Sequence, residues 1–209
     1  LKDAGGYTLV LYADTPLVTT EALRLLVQDT MDDDADVAMT VFETETPGGY
    51  GRIVLDNDGR PLSIVEAKDA TPEQLEIRLC NGGLMLAKNA VLFDLLSKTT
   101  DDNAAGEYYI TDIVGVARQA GLRTRVSTFD QSLLAGVNSR AELAAVEAVL
   151  QGRLRAELMA QGVTMIAPNT VTLCHDTVVG ADTIIEPGVF FGPGVTVGAN
   201  CRLRAGSYF

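Results

Sequence analysis

The chain has 209 residues, 47% of them hydrophobic and 21% charged, with a net charge of −12. That length suits one large domain or two smaller ones with real cores. The acidic balance argues against nucleic-acid partners and against a membrane-surface role. From residue 151 onward Arg153, Arg155, Arg202 and Arg204 balance Glu157, Asp176, Asp182 and Glu186, so the first 150 residues hold the whole excess. Such a shift implies two units built on different plans. Cys80, Cys174 and Cys201 form no CxxC, which excludes a disulfide framework or a zinc finger. The lone histidine, His175, excludes a multi-histidine metal site. There is no membrane-length apolar stretch and no secretory signal pattern, so a cytoplasmic protein is expected.

In chain order, Tyr7–Leu11 is an apolar, β-branched run of the kind found inside a sheet covered on both faces. Thr20 precedes the helical pattern Glu21–Val27 as a cap. Strand-like runs recur at Val37–Phe42, Arg52–Leu55 and Leu62–Val65, the last two flanking the hairpin composition Asp56-Asn57-Asp58-Gly59. Thr71-Pro72-Glu73-Gln74 is a capping-box signature. A strand around Leu84–Ala87, a helix from Ala90 to about Lys98, a polar loop at Thr99–Gly106, a helix over Ile110–Ala120 and a strand over Thr124–Phe129 follow. Strands alternating with helices predict an α/β layer fold with a largely parallel sheet, with ligands at the carboxyl ends of its strands. Ser139–Ala160 then reads as one long helix with Leu143, Val146, Leu150, Leu154 and Leu158 on a single stripe, ended by Gly162.

A third regime begins at Val171. Residues 171–206 fall into steps of six whose third place is always apolar: Leu173, Val179, Ile185, Phe191, Val197 and Leu203. Small, turn-forming residues follow each. A six-residue period with one fixed apolar place predicts a β-helix stacking an internal ladder. Three steps make one triangular turn, so only about two turns are present.

Four stretches could carry chemistry. Tyr12-Ala13-Asp14-Thr15-Pro16 sets a carboxylate just past a buried strand, which suits either a hard cation on phosphate oxygens or an ordinary Asp turn. Gly48-Gly49-Tyr50-Gly51 permits close backbone approach to a ligand, or simply a loop before a strand. Glu66-Ala67-Lys68-Asp69 offers two acids and an amine, or a solvated corner. Asn81-Gly82-Gly83 offers a side-chain amide, or the commonest turn pair. His175 is expected on the surface at a solenoid corner, and Cys80 is expected to pack in a strand.

Taken in order, Leu11-Tyr-Ala-Asp-Thr-Pro-Leu17, Gly49-Tyr-Gly-Arg-Ile53, Ile64-Val-Glu-Ala-Lys-Asp-Ala70, Asn81-Gly-Gly, Gly106-Glu-Tyr-Tyr-Ile-Thr-Asp112 and Gly136-Val-Asn-Ser-Arg140 resemble one family. It is that of the bifunctional bacterial N-acetylglucosamine-1-phosphate uridyltransferase/glucosamine-1-phosphate acetyltransferases. The resemblance implies a Rossmann-like nucleotidyltransferase domain over residues 1–138, incomplete at its N-terminus. It further implies a linker helix over 139–161 and, over 162–209, the first coils of a left-handed β-helix that trimerises and uses acetyl-CoA. It makes Asp14 and Asn138 the Mg²⁺ ligands, and assigns Tyr12, Ala13, Asp14, Gly51, Glu66, Asn81 and Asn138 to substrate binding. The implied substrates are UTP and N-acetylglucosamine-1-phosphate, and the products UDP-N-acetylglucosamine and pyrophosphate. The family commonly has glycine where this chain has Ala13.

The family's Gly-rich phosphate loop with its Arg and Lys is missing from this chain, and its catalytic histidine and acetyl-CoA coils would lie beyond Phe209. The expectation is a fragment that by itself turns over neither reaction. Two further readings stand beside it, a nucleotidyltransferase for another sugar-1-phosphate and a non-catalytic assembly subunit built on the β-helix.

Overall fold

The computed structural model describes residues 4–209. They divide into two compact units, Leu1–Val137 and Asn138–Phe209.

The first unit is a six-stranded mixed sheet in the order β4-β3-β5-β2-β6, with β1 also paired to β5. Its strands are β1 (Tyr7–Val10), β2 (Val37–Glu43), β3 (Arg52–Leu55), β4 (Pro61–Val65), β5 (Leu79–Lys88) and β6 (Thr124–Thr128). Its helices are α1 (Thr20–Asp32), α2 (Pro72–Leu75), α3 (Asn89–Leu96) and α4 (Ile113–Gln119). Alternation along β2 divides the core between the two faces of the sheet. Val37, Met39 and Val41 pack with Leu92 and Leu95 of α3 and Ile113 and Val114 of α4, whereas Ala38 and Phe42 join Leu26 of α1. At Thr71 the capping box forms in full: its Oγ1 accepts from the Gln74 N–H, and its own N–H donates to Gln74 Oε1. The cap of α1 is Thr19, one residue before the expected Thr20.

The sheet corrects the expectation of largely parallel pairing. Only β2 and β6 pair in parallel, while β1, β2 and β3 all run antiparallel to β5 and β4 antiparallel to β3. The crossover through α1 does make β1 and β2 run the same way. The later strand β5 then slots between them in the opposite sense, so each neighbouring pair becomes antiparallel. β1 also differs from its expected burial, since its four residues are half-buried and pair only with β5 among the described residues. The strand buried along nearly its whole length is β2. The expected helix over Ile110–Ala120 begins as a 3₁₀ turn, Ile110–Asp112, before α4.

The second unit opens with α5 (Arg140–Ala160), capped by Ser139 Oγ, which accepts from the Glu142 N–H at 3.2 Å. Of the apolar stripe Val146 and Leu158 are buried, Leu150 and Leu154 are half-buried, and Leu143 is 54% exposed. In the buried line stands a polar residue, Gln151. Its Nε2 donates to the Leu173 carbonyl at 2.6 Å and its Oε1 accepts from the Leu173 N–H at 2.9 Å. Arg155 Nη1 donates to the Val171 carbonyl at 3.0 Å. Backbone groups of the first coil that would otherwise lie open, as a sheet edge does, are thus taken up by helix side chains.

Beyond α5 come the short strands β7 (Thr164–Met165), β8 (Val178–Val179), β9 (Ile184–Ile185), β10 (Thr196–Val197) and β11 (Arg202–Leu203). They pair in parallel, and Val178 lies opposite Thr196 and Ile184 opposite Arg202, a register of eighteen residues or three six-residue steps. Of the six apolar third places, Leu173, Val179, Ile185, Phe191 and Leu203 are buried, and Ile185 and Phe191 are wholly enclosed. The sixth places from Asp182 onward (Asp182, Gly188, Gly194, Asn200 and Gly206) all have positive φ, between 56° and 75°. This conformation is open to Gly and tolerated by Asn and Asp, which is why these residue types recur there. His175 is exposed at such a corner.

Candidate active site

The site-bearing segments meet at an interruption in the sheet. β1 runs along one edge of β5 as far as Val10 opposite Met85, and β3 takes up the same edge at Arg52 opposite Cys80. Between them residues 82–84 of β5 have no strand partner on that side among the described residues. On the other edge the β2–β5 register shifts between Met39 and Val41. There Thr40 Oγ1 accepts from the Leu84 N–H at 3.2 Å. The glycines make this irregularity possible. A Cβ on Gly82 would stand 2.5 Å from both Thr40 Oγ1 and Leu134 Cδ1, and Gly83 has φ of 80° with the Tyr12 ring 3.0 Å from where a Cβ would be. Asn81-Gly82-Gly83 is therefore a bulge inside a ten-residue strand and not a turn.

Around this gap the structure gathers five of the expected residues. Tyr12 lies against Gly83. Partial burial, then the negative charges of Glu66 and Asp14, push its phenol above the ordinary tyrosine value. Gly51 stands where any side chain would press on Glu66, whose carboxylate oxygens lie 3.3 and 3.4 Å from a Cβ built there. The Gly51 carbonyl accepts from the Asn81 N–H at 2.9 Å, and Asn81 Oδ1 accepts from the Gly83 N–H at 3.1 Å. Ala13 sits exposed between Tyr12 and Asp14. The Asp14 backbone carbonyl accepts from the Val137 N–H at 2.8 Å, while its carboxylate makes no hydrogen bond or ion pair with the described residues. Asn138 falls in the second unit, exposed, with its backbone N–H donating to Glu142 Oε2 at 2.7 Å.

Two residues join the site that the sequence gave no individual role, although both lie in the Gly106–Asp112 motif. Buried Thr111 donates from Oγ1 to Glu66 Oε1 at 3.1 Å, which fixes the carboxylate and leaves Oε2 to accept from a ligand. Tyr109 lines a cleft of about 220 Å³ with Ile64, Glu66, Asp69, Asn103 and Asp112. Burial first, then the charge of Asp69, raises the Asp112 carboxyl above the usual carboxylate range. Asp69 itself accepts from the Ala104 N–H at 2.7 Å and so ties the 99–106 loop to the cleft. Cys80 is wholly buried, and that burial pushes its thiol up, which suits a packing residue and not a nucleophile.

A mixed sheet layered by helices resembles, at a TM-score of 0.51, a crystal structure of a putative glucose-1-phosphate thymidylyltransferase from Bacillus anthracis in complex with sucrose. The two share 16% identity over 69% of this chain and 55% of that one, a likeness of fold. Residues 176–209 match the model of the bacterial transferase hexapeptide, six repeats. The first unit thus shares the mixed α/β fold of that structure, and the second carries hexapeptide coils.

Curated proteins narrow the class. The bifunctional protein GlmU of Hyphomonas neptunium is 47% identical over 208 residues, that of Caulobacter vibrioides 44% over 208 and that of Xanthobacter autotrophicus 48% over 198. Along its whole length the chain is similar to these GlmU proteins, and it spans about 45% of the length of those it matches. Among the described residues no helix is long and apolar enough to cross a membrane.

Proposed function

We propose that the first unit carries the sugar-1-phosphate side of a uridylyl-transfer site, in a protein that joins UTP and N-acetylglucosamine-1-phosphate into UDP-N-acetylglucosamine and pyrophosphate. The observation that carries this reading is the convergence of Tyr12, Asp14, Gly51, Glu66 and Asn81 on the interruption beside β5. A phosphate oxygen of the sugar-1-phosphate attacks the α-phosphorus of UTP, the bond to the bridging α–β oxygen breaks, and pyrophosphate leaves with the electron pair. Such a transfer depends on positioning and on charge neutralisation. Glu66, steadied by Thr111, accepts hydrogen bonds from the sugar, and the Asn81 side-chain NH₂ donates to it. Gly51 leaves the space between them open.

Asp14 and Asn138 would hold Mg²⁺. The Asp14 carboxylate and the Asn138 amide are both exposed oxygen donors of the hard type the ion takes, without a hydrogen-bond partner among the described residues. The ion when bound neutralises phosphate charge. By the same reading the hexapeptide coils belong to a homotrimeric, acetyl-CoA-using half of a cytoplasmic protein.

Titration calorimetry of this chain with UDP-N-acetylglucosamine, with and without Mg²⁺, tests the reading. Glu66→Gln and Asn81→Ala should each weaken binding on the order of tenfold or more, and Asp14→Ala should remove the Mg²⁺ dependence. Equal affinity for UDP-glucose would favour another sugar. No binding of any nucleotide sugar would favour an assembly role.

A further inference from the structure

The loop that carries Gly51 has three glycines in four places, with Gly48 at φ of 51°. Such a sequence loses much chain entropy when ordered, so something must hold it. Arg52, 3% exposed, stands at the loop's end. Its guanidinium donates from Nη1 to the Tyr50 carbonyl, from Nη2 to the Gly48 carbonyl at 3.1 Å and from Nε to the Leu75 carbonyl of α2 at 3.4 Å. No carboxylate pairs with it among the described residues, so this buried cation is solvated by backbone carbonyls, two of them from the loop itself. The Tyr50 ring adds an edge-on contact to Phe42, with centroids 4.9 Å apart. The fixed loop then presents Gly51 both to Asn81, through the Gly51 carbonyl, and to the Glu66 carboxylate.

We propose that Arg52 is a positioning residue of the sugar site, a strap that fixes Gly51 beside Glu66 and Asn81 without itself touching the ligand. Its ligand arm rests on the sugar-binding reading above. Arginine's planar fork spreads its donors over three nitrogens and so reaches three separate carbonyls at once, whereas a lysine ammonium offers its three N–H groups from a single atom.

Amide hydrogen exchange and calorimetry on the chain carrying Arg52→Lys, with Arg52→Met as a second variant and the exposed Arg78→Ala as control, test this. The expected result for Arg52→Lys is faster exchange at Tyr50, whose N–H donates to the Pro47 carbonyl, and at Asn81, whose N–H donates to the Gly51 carbonyl, by on the order of tenfold or more, with β2 unchanged. UDP-N-acetylglucosamine should bind correspondingly more weakly while UDP affinity holds, and Arg78→Ala should alter neither. Slow exchange at Tyr50 and Asn81 in a folded variant overturns the proposal. So does fast exchange with unaltered preference for UDP-N-acetylglucosamine over UDP, which would leave a strap without a role in binding. Should the unaltered chain bind no nucleotide sugar, the sugar reading fails, and the exchange measurement alone decides whether Arg52 fixes Gly51.

Discussion

The two units solve the placing of side chains by different means. In the hexapeptide coils of the second unit one rule repeats: an apolar third place faces inward, a Gly, Asn or Asp sixth place turns the corner, and β10 and β11 lie over β8 and β9 eighteen positions earlier. In the first unit the informative places are the exceptions, namely a strand edge left open between β1 and β3, a register shift at Thr40 and a glycine loop held by a buried arginine. Periodicity builds a frame in which one residue class recurs at each contact point. Irregularity leaves backbone groups and a carboxylate without a strand partner, where a ligand could be received.

The comparison can be broken or sharpened by experiment. The largest effect is expected for Phe191→Ala, since the ring is wholly buried in the ladder. It should cost the second unit about 3–5 kcal/mol, measured by denaturant unfolding. A much smaller loss would mean that the ladder is loosely packed.

Next comes a pair of glycines that both occupy fourth places in the repeat. A Cβ on Gly180 would lie 2.4 Å from the Ala199 backbone nitrogen, whereas one on Gly198 would meet nothing within 4 Å. Gly180→Ala should therefore destabilise by about 1–3 kcal/mol and Gly198→Ala hardly at all. Equal melting temperatures would show that the coil spacing is soft.

In the first unit, Thr111→Val removes the hydroxyl that holds Glu66. It should weaken UDP-N-acetylglucosamine binding by about 1 kcal/mol, read by calorimetry, with little change in unfolding midpoint. A change confined to stability would place Thr111 in the core and not in the site.

The smallest expected difference is in pH dependence, and its sign differs between the units. In the second, hydrogen bonds from Arg202 and from the Ala205 N–H hold the Glu186 carboxyl below the usual range. Its stabilising contribution is present above the unfolded value and is lost as pH falls through the folded one. In the first, burial and Asp69 raise Asp112, so that group favours folding below the unfolded value and opposes it as pH rises through the folded one. Glu186→Gln should flatten the acid limb of the second unit's stability, and Asp112→Asn should relieve the loss toward neutral pH in the first. Unfolding midpoints followed from pH 3 to 7 check both.

Much of the architecture could be read from the chain itself. Local rules are enough for the Thr71 capping box, the β3–β4 hairpin and the solenoid, because capping, turn chemistry and a six-residue period depend on residues close in sequence. The motif order also singles out Asp14, Gly51, Glu66 and Asn81 as candidates, whose role in binding the calorimetry decides. Tertiary structure alone decided the strand order, because whether β5 enters between β1 and β2 depends on long-range pairing that no local pattern encodes. It likewise turned Asn-Gly-Gly from a turn composition into a bulge, made Gln151 a partner for the first coil, and set Thr111 against Glu66 and Arg52 against the glycine loop. Each of those depends on hydrogen bonds between residues distant in sequence or on the shape of a loop, and a hydrogen bond is set by distance and angle in the folded chain.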